Sequence, residues 1–191
     1  HAENGRSTKS FLEEGRLETI RERMQPGDFL FIQFGHNDEK AEDPARYTSP
    51  EDTFRGYLAV FVKAAREKGA YPVLITPLTR RCYRDPQAKY SHGPYAAAMR
   101  ELARELCVPL IDLTAESEKL VDRMGEDAKQ LYMNLPAGRF SHYPDGLEDN
   151  THLQPAGALA FAGLVAEGLQ ALGGVYAALL SDEACQWMRE R

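Results

Sequence analysis

Two short segments hold the residues whose types and spacing could do chemistry. Asp149-Asn150-Thr151-His152 puts a carboxylate three residues ahead of an imidazole, just before a helix signal. Such a pair is the orienting half of a hydrolytic triad, because the acid fixes the ring's tautomer and stabilises the imidazolium that forms when the ring takes a proton. A loop histidine bonded to a nearby acid has the same local sequence, so the pair needs support from elsewhere. That support is Phe29-Leu30-Phe31-Ile32-Gln33-Phe34-Gly35-His36-Asn37-Asp38, an apolar run that turns polar at a glycine. The pattern is that of a buried strand delivering side chains to the rim of a sheet. Ligand chemistry in parallel α/β sheets gathers at that rim. His152 is therefore expected to act as general base toward a serine hydroxyl and then as acid toward the leaving alcohol, with Asp149 as its orienter.

The elements that must position these residues alternate between strand and helix. Phe11 to Met24 carries apolar residues at helical spacing, and Pro26-Gly27-Asp28 turns the chain into the strand Phe29 to Phe34. Ser49-Pro50-Glu51-Asp52 predicts a helix start with a capping hydroxyl, and Gly69 sits where a left-handed C-terminal residue is wanted. A strand over Pro72 to Thr76, a helix from Pro94 to Leu106, a strand from Val108 to Leu113 and a helix from Thr114 to Met124 follow. Leu135 to Thr151, with Pro136, Gly138, Pro144 and Gly146, is expected to be a long irregular loop. Pro155 opens a last packed helix, Ala156 to Leu172, and Val175 to Arg191 could add a C-terminal helix. Alternation of this kind implies parallel strands with helices on both faces, an α/β chain.

Three blocks of this sequence resemble the SGNH hydrolases, most closely their rhamnogalacturonan acetylesterase branch. Asn4-Gly5-Arg6-Ser7-Thr8-Lys9-Ser10-Phe11 is similar to the second family block, Gly35-His36-Asn37-Asp38 to the third and Asp149-Asn150-Thr151-His152 to the fifth. The resemblance implies a three-layer α/β/α fold with a parallel, flavodoxin-like sheet of order 2-1-3-4-5. It also implies that Gly5, through its backbone N–H, and Asn37, through its amide, line an oxyanion hole. A fixed amide donor there contributes on the order of 3 kcal/mol to the tetrahedral intermediate. Read from the residues alone, Asn37 is equally a turn residue holding its own backbone.

The family opens with a Gly-Asp-Ser block whose serine is the nucleophile, and no Gly-Asp-Ser occurs in these 191 residues. The expectation is that the chain is N-terminally truncated, its first strands and its serine lying upstream of His1. One SGNH domain is then expected over residues 1–191, keeping strands 3, 4 and 5, inactive by itself and prone to aggregate or oligomerise through a bare Phe29 to Phe34 edge. Were residues 1–191 active alone, Ser7, Ser10 and Ser91 would be the serines to test.

Composition narrows the partners. The chain is 43% hydrophobic and 27% charged, ordinary for one globular domain, and no apolar stretch approaches the roughly 20 residues that span a bilayer. A net charge of −6 speaks against a phosphate-backbone partner. Neither nucleic acid nor membrane is expected. Cys82, Cys107 and Cys185 are odd in number with no CxxC pair, which favours a reducing, cytoplasmic compartment over secretion.

His36 and Asp38 read as loop-fixing residues, with one alternative open: a metal held by His36, Asp38, Asp149 and His152. No cofactor is expected, since the HExxH spacing is absent. Arg80, Arg81 and Arg84, with His92 soon after, read as a solvated charge run or, on a pectic substrate, as guanidinium partners for galacturonate carboxylates. The sequence thus points to a serine esterase removing acetyl groups from a plant cell-wall polysaccharide, with water as acceptor. A carbohydrate-binding protein that keeps the pocket without the serine is the rival.

Overall fold

The structure, a computed structural model, describes residues 1–81 and 92–189; Cys82, Arg84 and Ser91 lie outside them. The chain divides into two compact units, the first made of His1–Pro77 and His92–Asp112, the second of Leu78–Ser91 and Leu113–Arg191.

The first unit begins with two helices, α1 (Thr8–Glu13) and α2 (Arg16–Arg23), where the sequence periodicity suggested one. Gly15 separates them, its left-handed backbone (φ +69°) ending one helix and starting the next. Strand β1 (Phe29–Gln33) follows, then a π-helical turn at Pro50–Phe54 that runs into α3 (Arg55–Glu67). The expected Ser49 hydroxyl cap is not made. Instead the Phe54 N–H reaches back to the Ser49 carbonyl (2.9 Å), and the Thr53 hydroxyl accepts from the Ser49 N–H (2.8 Å). Gly69 is left-handed as expected (φ +69°).

Strand β2 (Tyr71–Ile75), helix α4 (Gly93–Glu105) and the short β3 (Leu110–Ile111) complete the unit. The sheet is parallel in the order β1-β2-β3, with Phe31 opposite Val73 and Ile75 opposite Ile111. Phe11, Phe34 and Phe61 meet at centroid distances of 5.1–5.7 Å in a core that also buries Leu58, Val62, Leu74 and Met99. Strand β1 is an edge with only β2 beside it among the described residues, and Phe31 is 43% exposed. The edge is exposed as expected for this chain, and the strand is not fully buried: Phe29 stacks on Tyr71 (5.0 Å) and beside Phe31 (6.4 Å) on its more open face.

In the second unit α5 (Leu113–Met124) leads through a 3₁₀ turn, Gly125–Leu131, into β4 (Tyr132–Leu135). Strand β5 (Leu147–Leu153) pairs with β4 antiparallel, so the end of the stretch expected to be irregular is strand, while residues 136–146 form the loop that joins the two. Helix α6 (Pro155–Leu172) and two short helices, α7 (Gly174–Ala177) and α8 (Asp182–Arg189), end the unit. Helix α6 is long and apolar enough by composition to cross a membrane (mean hydropathy 1.3), contrary to the expectation of no such stretch. It buries Gly157, Phe161, Leu164 and Leu169.

Gly157 sets how closely α6 approaches the end of the 3₁₀ turn. A Cβ there would lie 1.9 Å from the Leu131 carbonyl oxygen, and the neighbouring Leu131 atoms are backbone too. Gly157→Ala is accordingly expected to cost about 1–3 kcal/mol of stability, because backbone cannot step aside as a side chain can. Gly56 in α3 has nothing within 4 Å of its virtual Cβ. Gly56→Ala should therefore gain about 0.5–1 kcal/mol from helix propensity. Urea denaturation of the two variants checks both signs.

Candidate active site

The polar turn after β1 is built around one buried carboxylate. Gly35 takes a positive φ of +137° and lies so close to Pro77 that a Cβ would sit 3.0 Å from its ring. A side chain is disfavoured there on both counts. This turn drops Asp38 into the interior, where it is 0% exposed. Its Oδ1 accepts from the Thr8 N–H (3.0 Å), the Thr8 hydroxyl and the Thr48 hydroxyl (3.0 Å), and its Oδ2 accepts from the Gly35 N–H (3.1 Å). Burial pushes the carboxyl above its ordinary range, even though these donors pull it down. Tyr95 closes the arrangement by donating its hydroxyl to the Asp38 and Thr48 carbonyls.

Asp38 thus ties the Gly35–Asp38 turn to the segment that carries Gly5. Asn37 is drawn to the same place. Its Nδ2 donates to the carbonyl of Arg6, the residue after Gly5 (3.3 Å), while its Oδ1 accepts from Arg46 (3.2 Å), which Asp43 holds in turn (2.6 Å). Of the two groups expected to line an oxyanion hole, Asn37 is thus tied to the residue next to Gly5 within the first unit. An amide uses one of its two N–H groups on Arg6 and keeps the other for a ligand. Asn37→Ala is expected to lower kcat about 10²–10³-fold with a smaller change in KM, read from ester hydrolysis by a turnover-competent form of the protein. Unchanged kcat would return Asn37 to a turn role.

His36 packs against His92, ring centroids 4.1 Å apart. The His92 side chain is almost wholly buried, its Nδ1 bonded to Glu39 (2.8 Å) and its Nε2 without a partner among the described residues. The sequence singled out His92 but not Glu39, whose contact spans 53 residues. Ser7 and Ser10 are occupied as a capping box at the start of α1, Ser10 N–H to Ser7 Oγ and Ser7 N–H to Ser10 Oγ, and Ser7 is 0% exposed. Neither is placed as an exposed nucleophile. The S-x-x-S spacing was itself the available signal for that cap.

The acid–imidazole pair lies in the second unit, on β5. Between Tyr132 and Asn134 of β4, two residue steps face the five from Glu148 to Leu153 on β5, so Asp149 to His152 form a bulge. Bulges re-aim side chains beside active sites. Here the bulge lets Asp149 bond a residue three further on: His152 Nδ1 lies 2.6 Å from Asp149 Oδ2, and Asp149 Oδ1 accepts from the His152 and Thr151 N–H groups (3.0 and 2.7 Å). Burial alone would raise the Asp149 carboxyl, but the bonds from His152 and Thr151 outweigh it and hold the pKa below the ordinary value. With Asp149 on Nδ1, the imidazole presents Nε2 outward from a ring that is 68% exposed. That is the tautomer a general base needs.

Arg80 and Arg81 brace this strand. Arg80 Nε donates to the Thr151 hydroxyl (3.2 Å), the Arg81 N–H donates to the Asn150 carbonyl (2.9 Å), and the Arg81 guanidinium pairs with Glu148 (3.4 Å). Among the described residues, no three His, Cys, Asp or Glu side chains are gathered as a metal-ligand set.

A parallel α/β sheet with a polar turn at a strand's carboxyl end, and a carboxylate-oriented imidazole, define a hydrolase-type chain. Residues 1–160 match the GDSL-like Lipase/Acylhydrolase family, and the chain belongs to that family, as the SGNH resemblance implied. It is 47% identical over 176 residues to the rhamnogalacturonan acetylesterase RhgT of Bacillus subtilis, covering 91% of this chain and 74% of that protein. It is 40% identical to the probable rhamnogalacturonan acetylesterase YesY of the same organism, again over 74% of that protein's length. Among solved structures, the YxiM protein of Bacillus subtilis superposes with a TM-score of 0.67 at 26% identity, over 88% of this chain and 44% of that one. An acetylxylan esterase from Geobacillus stearothermophilus has the same fold, with a TM-score of 0.61 at 16% identity, over 86% of this chain and 68% of that one.

Proposed function

We propose that the chain carries the acid–base and oxyanion machinery of a serine esterase that removes acetyl groups from a pectic polysaccharide, rhamnogalacturonan or a related acetylated sugar. The observation that carries this is the Asp149–His152 pair, buttressed on Nδ1 and open on Nε2, in a chain 47% identical to a rhamnogalacturonan acetylesterase. His152 Nε2 takes the proton of the serine hydroxyl as its oxygen attacks the acetyl carbonyl. The carbonyl oxygen becomes an oxyanion that the Asn37 amide and the Gly5 N–H receive. The intermediate collapses, His152 returns the proton to the leaving sugar oxygen, and an acetyl-serine remains. Water repeats the sequence with His152 as base, releasing acetate and the free serine.

The serine belongs to a Gly-Asp-Ser block not contained in residues 1–191. The test is acetate release from acetylated rhamnogalacturonan by residues 1–191 alone and by the same residues joined to the opening block of a family member that carries Gly-Asp-Ser. Release by the joined protein and none by the chain alone is expected. Binding of the polysaccharide without release by either would favour the rival reading, a carbohydrate-binding protein. The exposed β1 edge supports self-association of the isolated chain, and the unpaired cysteines Cys107 and Cys185 support a reducing, cytoplasmic setting.

A further inference from the structure

The hairpin that carries the acid–imidazole pair also encloses a cleft of about 830 Å³, formed wholly within the second unit between the end of the 3₁₀ turn, the β4–β5 loop and the start of α6. The volume falls in the roughly 300–1,000 Å³ range of small-ligand sites. Its lining includes Lys129, Arg139, Phe140, Asp145 and Glu148. Residue 148 is followed in the chain by Asp149, so the cleft leads directly to the catalytic strand.

Three features of the cleft call for a ligand. Phe140 is 43% exposed and the nearby Tyr143 38%. Large aromatics left in water on a fixed loop mark contact surfaces. The loop is fixed: Gly138 N–H bonds the Pro144 carbonyl (2.8 Å), Tyr143 N–H the Phe140 carbonyl (3.0 Å) and Gly146 N–H the Tyr143 carbonyl (3.0 Å). Gly146 cannot carry a side chain, since a Cβ would meet the Leu135 carbonyl oxygen at 2.5 Å. The platform is thus formed in advance, at no ordering cost on binding.

The charges complete the description. Neither Lys129 nor Arg139 has an ion-pair partner among the described residues, whereas Glu148 is balanced by Arg81. The lining thus holds two cations and two acids, of which Glu148 is paired with Arg81 and Asp145 is not paired among the described residues, so both cations are available to an anionic ligand.

We infer that this cleft is a subsite for uronate-bearing sugar units of the polysaccharide flanking the acetylated residue. Phe140 and Tyr143 take the apolar faces of pyranose rings, and Arg139 and Lys129 take the carboxylates, Arg139 in the bidentate geometry a guanidinium allows. The inference rests on the esterase reading for its substrate and adds a place on the chain that selects an acidic polymer over a neutral one. Arg80 and Arg81 hydrogen-bond β5, and this cleft adds a second pair of cations on the hairpin side of the same unit.

The test is calorimetric titration of residues 1–191 with rhamnogalacturonan oligosaccharides in native and carboxyl-reduced form. Tighter binding of the native form is expected, weakening with salt. Arg139→Gln with Lys129→Gln should lower affinity for the native form about 10-fold and leave the carboxyl-reduced form unchanged. Phe140→Ala should weaken both. Equal binding of the two sugars, no binding, or indifference to all three substitutions would overturn the subsite. The two readings separate in the joined protein. If p-nitrophenyl acetate and acetylated polymer are both left intact while native sugar still binds tightly, the esterase reading fails and the subsite stands. If both are hydrolysed at rates the three substitutions do not alter, the subsite fails and the esterase reading stands.

Discussion

Replacing His152 by alanine is expected to lower kcat/KM for p-nitrophenyl acetate by about 10⁴-fold or more, in a form of the protein that turns over, with the fold unchanged. The magnitude follows from what the imidazole does. Without it no group takes the serine proton at neutral pH, and none returns it to the leaving oxygen. What survives is the oxyanion contribution and substrate binding, which together leave residual catalysis over water. The fold should be indifferent because the side chain is 68% exposed and, among the described residues, bonds only within its own strand segment. Asp149→Asn should cost nearly as much by a different route. An asparagine amide toward Nδ1 would favour the wrong tautomer and remove the charge that steadies the imidazolium. The comparison also carries a structural reading, since Asp149 accepts two backbone N–H groups that hold the bulge. Near-normal turnover by a folded His152→Ala protein would remove the residue from the mechanism.

Much of this was legible in the residues. The parallel α/β class followed from apolar runs alternating with capped helices, and the acid–imidazole pair from a carboxylate three residues before a histidine. Local signals of this kind depend on neighbours within a few positions. What stayed hidden depends on distance along the chain. The β4–β5 hairpin reads as loop because its strands are short, because the segment joining them carries Pro136, Pro144 and two glycines, and because β5 is polar at Glu148 to His152 and has no apolar alternation to mark it as a strand. Only the pairing of Tyr132 with Leu153 and of Asn134 with Glu148 reveals it. Arg46 behind Asn37, Glu39 behind His92 and Thr48 on Asp38 were likewise invisible, each a hydrogen bond closed by tertiary packing. The Ser49 hydroxyl misled in the opposite way. A proline and two acids after a serine promise an α-helical cap, yet the first turn is π-helical and the backbone bonds itself.

Asp38→Ala is expected to unfold the protein or leave it barely stable, and Asp38→Asn to cost far less. Alanine orphans four buried donors at once: the Thr8 N–H and hydroxyl, the Thr48 hydroxyl and the Gly35 N–H. Each unsatisfied buried group costs about 1–3 kcal/mol. Four together rival the roughly 5–15 kcal/mol by which a domain is stable. Asparagine keeps Oδ1 and so keeps three of the bonds, losing only the one at Gly35, where an amide would face another donor. It also removes the cost of burying a charge. The pH dependence separates the two effects. Burial raises the Asp38 carboxyl in the folded state above its unfolded value. Its contribution to stability is therefore fully present below the ordinary carboxylate pKa of about 4 and is lost as pH rises through the folded value. The stability advantage of the natural protein over Asp38→Asn, measured by urea denaturation, should shrink as pH is raised across that window. An advantage that grows with pH would mean that the four donors outweigh desolvation and that Asp38 is held as a carboxylate. Either way the residue acts only through geometry, by pinning the Gly35–Asp38 turn, and with it the neighbouring Asn37, to the Thr8 segment.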